Sequence, residues 1–309
     1  MSYIEYKPRK RPANDETQIM IGRSVDILNE YAEQGFELTL RQLYYRFVTR
    51  HKDFPNTDKS YNKLKNCISR AREAGEVSWA HIVDRARPLF QVPVWETADD
   101  WLEEVKDGFA LDPWVGQPVK IRVFVEKDAL SDVVAKGCNT WRCEYLPNKG
   151  YLSASAAWRQ ARSMLRDDCN DWVVLHLGDH DPSGIDMTRD IRERLDLFSS
   201  RTVQDKKDGF GSTRIRVKRI ALNMDQITER DLVPDPAKPS DSRYESYCKE
   251  YNTESSWELD AVEPNDLVDL IKESIRDILG REGDPELYDE ILNRERIIKE
   301  KIDRIELES

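Results

Sequence analysis

The chain has 309 residues, 39% hydrophobic and 35% charged, with a formal net charge of -11. That length accommodates two domains at roughly 100–200 residues each, and the composition excludes a wholly disordered chain. No apolar run approaches the ~20 residues of a membrane span, and Met1 to Lys10 is polar and basic without the apolar core of a signal peptide, so a cytoplasmic protein is expected.

Asp15 to Gln34 has the apolar spacing of an amphipathic helix, with Ile19, Ile27, Leu28 and Tyr31 expected toward the core and Gly35 as its stop. Thr39 is placed to cap a second helix over Leu40 to Thr49. Phe54-Pro55-Asn56 breaks the chain. Thr57 or Asp58 then starts a third helix that runs to Ala74 and closes at Gly75. Between Thr39 and Phe90 stand eleven Lys/Arg against five Asp/Glu, a local surplus of six in an acidic chain. Three short helices with a basic third one predict a helix-turn-helix or winged-helix module over residues 1–90, with Lys63, Lys65, Arg70 and Arg72 on the phosphates of DNA. A merely solvated helix face explains the same charges about as well.

Residues 91–117 form a mixed connector with prolines and tryptophan-centred turns or short helices at most. Then the pattern changes. Val119 to Val125 is a β-branched run that ends at Glu126, Trp141 to Leu146 reads as a second strand, and Ser153 to Leu165 as a helix. Trp172 to Leu177 is a third strand, Asp186 to Leu197 a helix, and Arg214 to Leu222 another strand. Strands alternating with helices over residues 118–262 predict a largely parallel sheet, which places ligands at the carboxyl ends of its strands. A proline-rich loop covers Leu232 to Ser242, and residues 263–309 read as two C-terminal helices. Five scattered cysteines, Cys67, Cys138, Cys143, Cys169 and Cys248, form no CxxC pair and fit reduced thiols rather than a zinc site.

Chemistry concentrates at two strand ends. Val123-Phe124-Val125 stops at Glu126-Lys127, and Leu175-His176-Leu177 stops at Gly178-Asp179-His180-Asp181-Pro182-Ser183-Gly184. In extended chain, residues i and i+2 point to one side, so Asp179 and Asp181 are expected to face one ion together while His180 faces away. If the two strands are neighbours, Glu126 joins them. Three clustered carboxylates repel unless a cation neutralises them, and hard oxygen ligands suit Mg2+ or Mn2+. A DxD after a strand is, by itself, as often a capped turn as a metal site. The strand-terminal Glu126 upstream raises the odds. Glu258 and Asp260 are expected in a solvent-facing turn, with additional ligands as the alternative. Lys127 and Asp128 either orient a phosphate or cap the helix that begins near Leu130. Asp186 reads as a dipole-complementing acid near a helix start.

Glu126 after an apolar strand followed by Gly178-Asp179-His180-Asp181-Pro182-Ser183-Gly184 resembles the Toprim signature, in particular that of the topoisomerase VI A subunit and the related meiotic double-strand-break proteins. The resemblance implies that Glu126, Asp179 and Asp181 bind magnesium. Thr39-Leu40-Arg41-Gln42-Leu43-Tyr44-Tyr45-Arg46 is similar to that family's winged-helix motif, in which the second of two tyrosines attacks the DNA backbone. This maps onto Tyr45 as nucleophile, with Arg41 or Arg46 stabilising charge on the phosphate. The likeness also implies a homodimer and, for strand passage, a separate ATPase subunit, since this chain carries none. Its specific motifs cover some twenty residues within Thr39 to Ala221.

Two other readings stay open. Other Toprim proteins with winged helices cleave with metal-activated water, some in defence systems, and Tyr45 would then be structural, as aromatic residues on short amphipathic helices usually are. The chain could also be a non-catalytic DNA-binding subunit, a reading that the three intact acidic residues weigh against.

Overall fold

The computed structural model describes residues 14–82, 92–167, 171–199 and 214–304. It opens with α1 (Asp15–Glu33), α2 (Leu40–Arg50) and α3 (Asp58–Glu73). Each start is fixed by its own sequence. Asn14 caps α1 through Thr17 N at 2.8 Å. Thr39 and Gln42 form a reciprocal capping box on α2, with N···O distances of 3.2 and 2.8 Å. Thr57 caps α3 through Ser60 N at 3.1 Å. Ile27, Leu28, Tyr31, Leu43, Phe47, Leu64 and Ile68 pack these helices together. Ile19, expected in that core, is 55% exposed, and Met20 and Ile21 take its place. Leu38 makes an isolated parallel bridge to Ile82. No β-hairpin of the winged kind occurs among the described residues of this module. Arg85 and Arg87 lie outside the described residues.

The connector carries α4 (Ala98–Gly108), another capping-box helix. A four-stranded parallel sheet follows, built from β1 (Val119–Val125), β2 (Glu144–Pro147), β3 (Asp171–Leu177) and β4 (Arg214–Ala221) in the spatial order β2-β1-β3-β4. The second strand starts later than its sequence suggested, because the chain turns through Arg142 at φ 51° before pairing begins. Between the strands run α5 (Ser131–Asn139), α6 (Ala154–Leu165) and α7 (Pro182–Ser199). The last starts at Pro182 rather than at the expected Asp186. Proline suits the first helical turn, where its missing N–H costs nothing.

Side-chain alternation sorts the two faces of the sheet. Val119, Ile121, Val123 and Val125 of β1, with Val173, Leu175 and Leu177 of β3, share one core with α5 and the three N-terminal helices. Phe124, Trp172 and Val174 point the other way, into a second core with α6 and α7. After β4 come α8 (Met224–Glu229), the short strands β5 (Asp235–Pro236) and β6 (Ser255–Ser256) that pair antiparallel, and α9 (Tyr244–Tyr251) between them. The chain ends in α10 (Pro264–Glu282) and α11 (Pro285–Ile302). Close packing of α10 on α5 depends on Gly137, where an added Cβ would lie 2.9 Å from Ile271 Cγ2. Among the described residues no helix is long and apolar enough to cross a membrane.

The strand order sets the position of the acidic residues. From β1 the chain moves outward to β2, then returns past β1 to β3 and continues to β4 on the other side. The carboxyl ends of β1 and β3 therefore border the switch point of the sheet, where helices diverge and leave a crevice.

Candidate active site at the switch point of the sheet

Glu126 and the Gly178–Gly184 loop meet at this crevice. The register pairs Val125 with Leu177, and the ladder continues one step further as Glu126 N donates to Leu177 O at 2.9 Å. Glu126 Oε2 in turn accepts from Asp179 N at 2.9 Å. Two glycines make room for this carboxylate. A Cβ on Gly178 would lie 2.9 Å from Glu126 Oε2, and one on Gly184 would lie 3.1 Å from it and 3.0 Å from the Asp179 carbonyl carbon. Arg219 of β4 clamps the loop from behind, donating to the carbonyls of Gly178 at 2.8 Å, Asp179 at 2.6 Å and Gly184 at 2.9 Å. Burial lowers the Arg219 pKa to about 10, so it stays charged at neutral pH.

The three acids do not share one direction. Asp179, 7% exposed, places Oδ2 at 2.9 Å from Lys127 Nζ and accepts from Leu259 N through Oδ1 at 2.7 Å. Asp181 folds onto the start of α7, where Oδ1 accepts from Gly184 N at 2.6 Å and Ser183 Oγ at 3.0 Å. The same-side expectation fails because the chain stops being extended at Asp181 and becomes a helix cap. Among the described residues, no three His, Cys, Asp or Glu side chains converge closely enough to hold a metal. His180 does face away from the acids. Its backbone bridges Trp257, and its ring packs on Tyr247, Tyr251 and Trp257 with Nδ1 2.9 Å from Tyr247 OH. Burial pushes the His180 pKa down to about 4 and that of the fully enclosed His176 to about 3, so both are neutral at physiological pH.

Glu258 and Asp260 are corrected from a solvent-facing turn to members of the site. Lys127 Nζ sits 2.8 Å from Asp260 Oδ2 and 3.0 Å from Glu258 Oε2 as well as on Asp179. Asp260 is 2% exposed, and its Oδ1 has no hydrogen-bond partner. Burial disfavours the Lys127 ammonium, but the charges of Asp260, Asp179 and Glu258 outweigh it and hold the pKa well above the ordinary lysine value. Lys127 is thus committed to protein carboxylates rather than presented to DNA. Asp128 begins a short 3-10 turn that leads into α5, but no side-chain cap forms at the start of either helix, and Asp128 Oδ2 lies instead 3.2 Å from Lys149 Nζ.

From Glu258 the network crosses to the helical module. Arg41 Nη2 lies 3.1 Å from Glu258 Oε1, and its guanidinium stacks 5.1 Å from the Tyr61 ring centroid. Tyr45, one helical turn on from Arg41 and therefore on the same face, donates its hydroxyl to Asp235 Oδ2 at 2.7 Å, while Asn56 Nδ2 donates to Asp235 Oδ1 at 2.8 Å. The Tyr45 residue is 1% exposed. Burial, then the Glu258 charge and the Asp235 bond, raise its pKa far above that of a free phenol. Arg46, expected on DNA phosphate, is 3% exposed and instead ties α2 to the start of α10 through Glu263 and the carbonyls of Ala261 and Asp260. Of the expected basic contacts on α3, Lys65 and Arg70 are exposed, Lys63 is exposed and paired with Glu16, and Arg72 packs 4.1 Å over the Trp79 ring.

Lys127 and Arg219 both bring positive charge toward Glu126, yet burial dominates its electrostatics. Burial first, then the neighbouring Asp179 charge, raises the Glu126 pKa; burial likewise raises that of Asp179, with Lys127 opposing. An all-oxygen set in which burial pushes Glu126 and Asp179 toward the neutral form, beside glycines that keep the space clear, fits a hard divalent cation in kind. Gathering Asp179 onto such an ion requires it to share or leave Lys127, and Asp181 has its second oxygen, Oδ2, outside the cap. No protein-family model matches this sequence, and none of the curated proteins matches it either.

Proposed function

We propose that this chain breaks DNA strands at the switch-point acids, with a Mg2+ or Mn2+ ion held by Glu126, Asp179 and Asp181, in the manner of the Toprim proteins its motifs resemble. The observation that carries the reading is the pairing of β1 with β3, which sets a strand-terminal glutamate against a Gly-Asp-His-Asp-Pro-Ser-Gly loop at the place where such sheets bind ligands. A bound divalent cation supplies a Lewis acid for the phosphate oxygens. The protein's own groups do the rest. Glu126 supplies a carboxylate at the strand end, Arg219 fixes the loop that carries the aspartates, and Lys127 holds Asp179 against Asp260 and Glu258. DNA reaches the crevice across the helical module, with Lys63, Lys65, Arg70 and Arg72 on α3 and Arg41 where that module meets Glu258.

The attacking group is either water or the Tyr45 hydroxyl. Water is favoured by the burial of Tyr45 and by the raised pKa of its hydroxyl. Tyrosine attack, the topoisomerase VI A-like reading, is favoured by the contact of that hydroxyl with Asp235, a carboxylate positioned to take its proton, and by Arg41 on the same helix face. In that reading a homodimer brings the tyrosine of one protomer to the acids of its partner. Supercoiled plasmid incubated with Mg2+ or Mn2+ tests both, with products resolved before and after protease digestion. Nicking abolished by Asp179→Ala supports the acidic site. Free ends and an active Tyr45→Phe variant identify water, and protein-linked ends lost in Tyr45→Phe identify the tyrosine. Binding of DNA without metal-dependent cleavage leaves a DNA-binding subunit.

A further inference from the structure

Behind the Gly178–Gly184 loop, between α7 and α9, lies a cavity of about 490 Å3 that the acidic site does not use. It shares one wall with that site, since His180, between the two aspartates, lines it. Its charged lining is four arginines, Arg189, Arg192, Arg219 and Arg243, against two acids, Asp186 and Glu250. Asp186 is already occupied by Arg189 at 2.7 Å and Arg243 at 3.1 Å. Arg219 spends its N–H groups on neutral oxygens, so no carboxylate within bonding distance cancels its charge. Arg192 is exposed on α7 and reaches only the Val217 carbonyl, at 3.4 Å; among the described residues it has no ion-pair partner. Arg189 and Arg243 are matched by Asp186, Glu193 and Asp241, and Arg219 faces the charges of Glu126, Asp179 and Asp181, so Arg192 is the guanidinium left uncommitted among the described residues that line the cavity.

The cavity also has an aromatic lining. Tyr251, half-buried, is braced edge-on by His180 at 4.6 Å between centroids and at a tilt by Tyr247 at 5.2 Å. The volume is in the range of small-molecule sites and far more than a lone phosphate fills. An aromatic ring and a free guanidinium lining one cavity are the two groups that recognise a heteroaromatic base joined to a phosphate.

We propose that this cavity binds a single nucleotide, its base stacked on Tyr251 and its phosphate on Arg192. The nucleotide is either a free nucleoside phosphate or one residue of a DNA strand that crosses the neighbouring crevice; the second source rests on the strand-cleavage reading, whereas binding itself does not. Equilibrium dialysis of the full chain, without divalent metal, against dAMP, dTMP, a 5′-phosphorylated tetranucleotide and inorganic phosphate tests it. The nucleotides are expected to bind at least tenfold more tightly than inorganic phosphate. Arg192→Glu, an exposed position that does not threaten folding, is expected to weaken them tenfold or more, as is Tyr251→Ala. Tyr251→Phe retains binding. A mononucleotide that outbinds the tetranucleotide identifies a free ligand, and the reverse order identifies the strand; both uphold the pocket. Absence of nucleotide binding, equal affinity for phosphate, or parent-like binding by both Arg192→Glu and Tyr251→Ala overturns it. Because the readout is binding, its failure leaves plasmid nicking by the acidic site intact, and failure of nicking leaves this result intact.

Discussion

Replacing Gly184 with alanine probes how tightly the acid-bearing loop is fixed. Gly184 lies in the first turn of α7, where alanine is intrinsically favoured over glycine by about 1 kcal/mol. Its new methyl group, however, would stand 3.0 Å from the Asp179 carbonyl carbon, closer still to the carbonyl oxygen, and 3.1 Å from Glu126 Oε2. Reaching van der Waals separation requires the Asp179 carbonyl to retreat by about 1 Å. That carbonyl is held by Arg219 at 2.6 Å, and Asp179 N is held by Glu126, so the retreat strains both bonds. Overpacking of this kind costs about 1–3 kcal/mol. Offset by the helix preference, the net loss is about 0–2 kcal/mol, small enough that the variant still folds. Its effect on chemistry is larger, because a displacement of about 1 Å at reacting groups lowers rate on the order of 100-fold. Urea denaturation gives the first quantity and plasmid nicking the second. A Gly184→Ala protein with parent stability and parent nicking would refute the claim that backbone contact fixes the aspartate loop.

Other consequences follow from the same contacts. Lys127→Met leaves Asp179, Glu258 and Asp260 without their shared cation and should cost about 3–5 kcal/mol at pH 7 in denaturant melts, with partial recovery on acidification. Glu126 has a folded-state pKa above its ordinary 4.5, so its contribution is intact below that value and is lost as pH rises through the folded one. Glu126→Gln should therefore flatten that part of the stability profile and gain on the order of 2 kcal/mol at pH 8 in metal-free buffer, measured by thermal melts across pH. Tyr45→Phe removes a bond to a carboxylate that Asn56 also holds and should cost about 1.5–3 kcal/mol, read from the urea midpoint. Gly137→Ala forces Ile271 away from α5 and should cost about 1–3 kcal/mol by the same assay.

The parts legible in the sequence are those set by local rules. The β-branched runs of β1 and β3, each ended by an acid, declare strands whose tips carry polar groups, and Thr39 with Gln42 declares the start of α2. Parallel pairing then brings Glu126 to Asp179 without further information. What escaped depends on partners distant in sequence. Nothing around Glu258 and Asp260 signals that Lys127, about 130 residues earlier, lies between them. Arg46 carries the same charge as Arg41 but sits in the middle of α2, where every residue from Gln42 to Val48 is buried, while Arg41 stands in the first turn with its side chain partly in solvent. One missed signal was local. Asp181-Pro182 is a helix start by capping and proline rules, and reading it so would have turned the Asp181 side chain toward Gly184 rather than alongside Asp179.

Cation binding at the switch point is the claim on which the functional account turns, and Mn2+ titration followed by electron paramagnetic resonance tests it most directly. The parent protein should remove free Mn2+ from solution at a saturable site, Mg2+ should compete for that site, and Glu126→Gln should abolish it while the protein remains folded. A parent protein that binds no Mn2+, or a Glu126→Gln variant that binds it as well as the parent, would contradict the account.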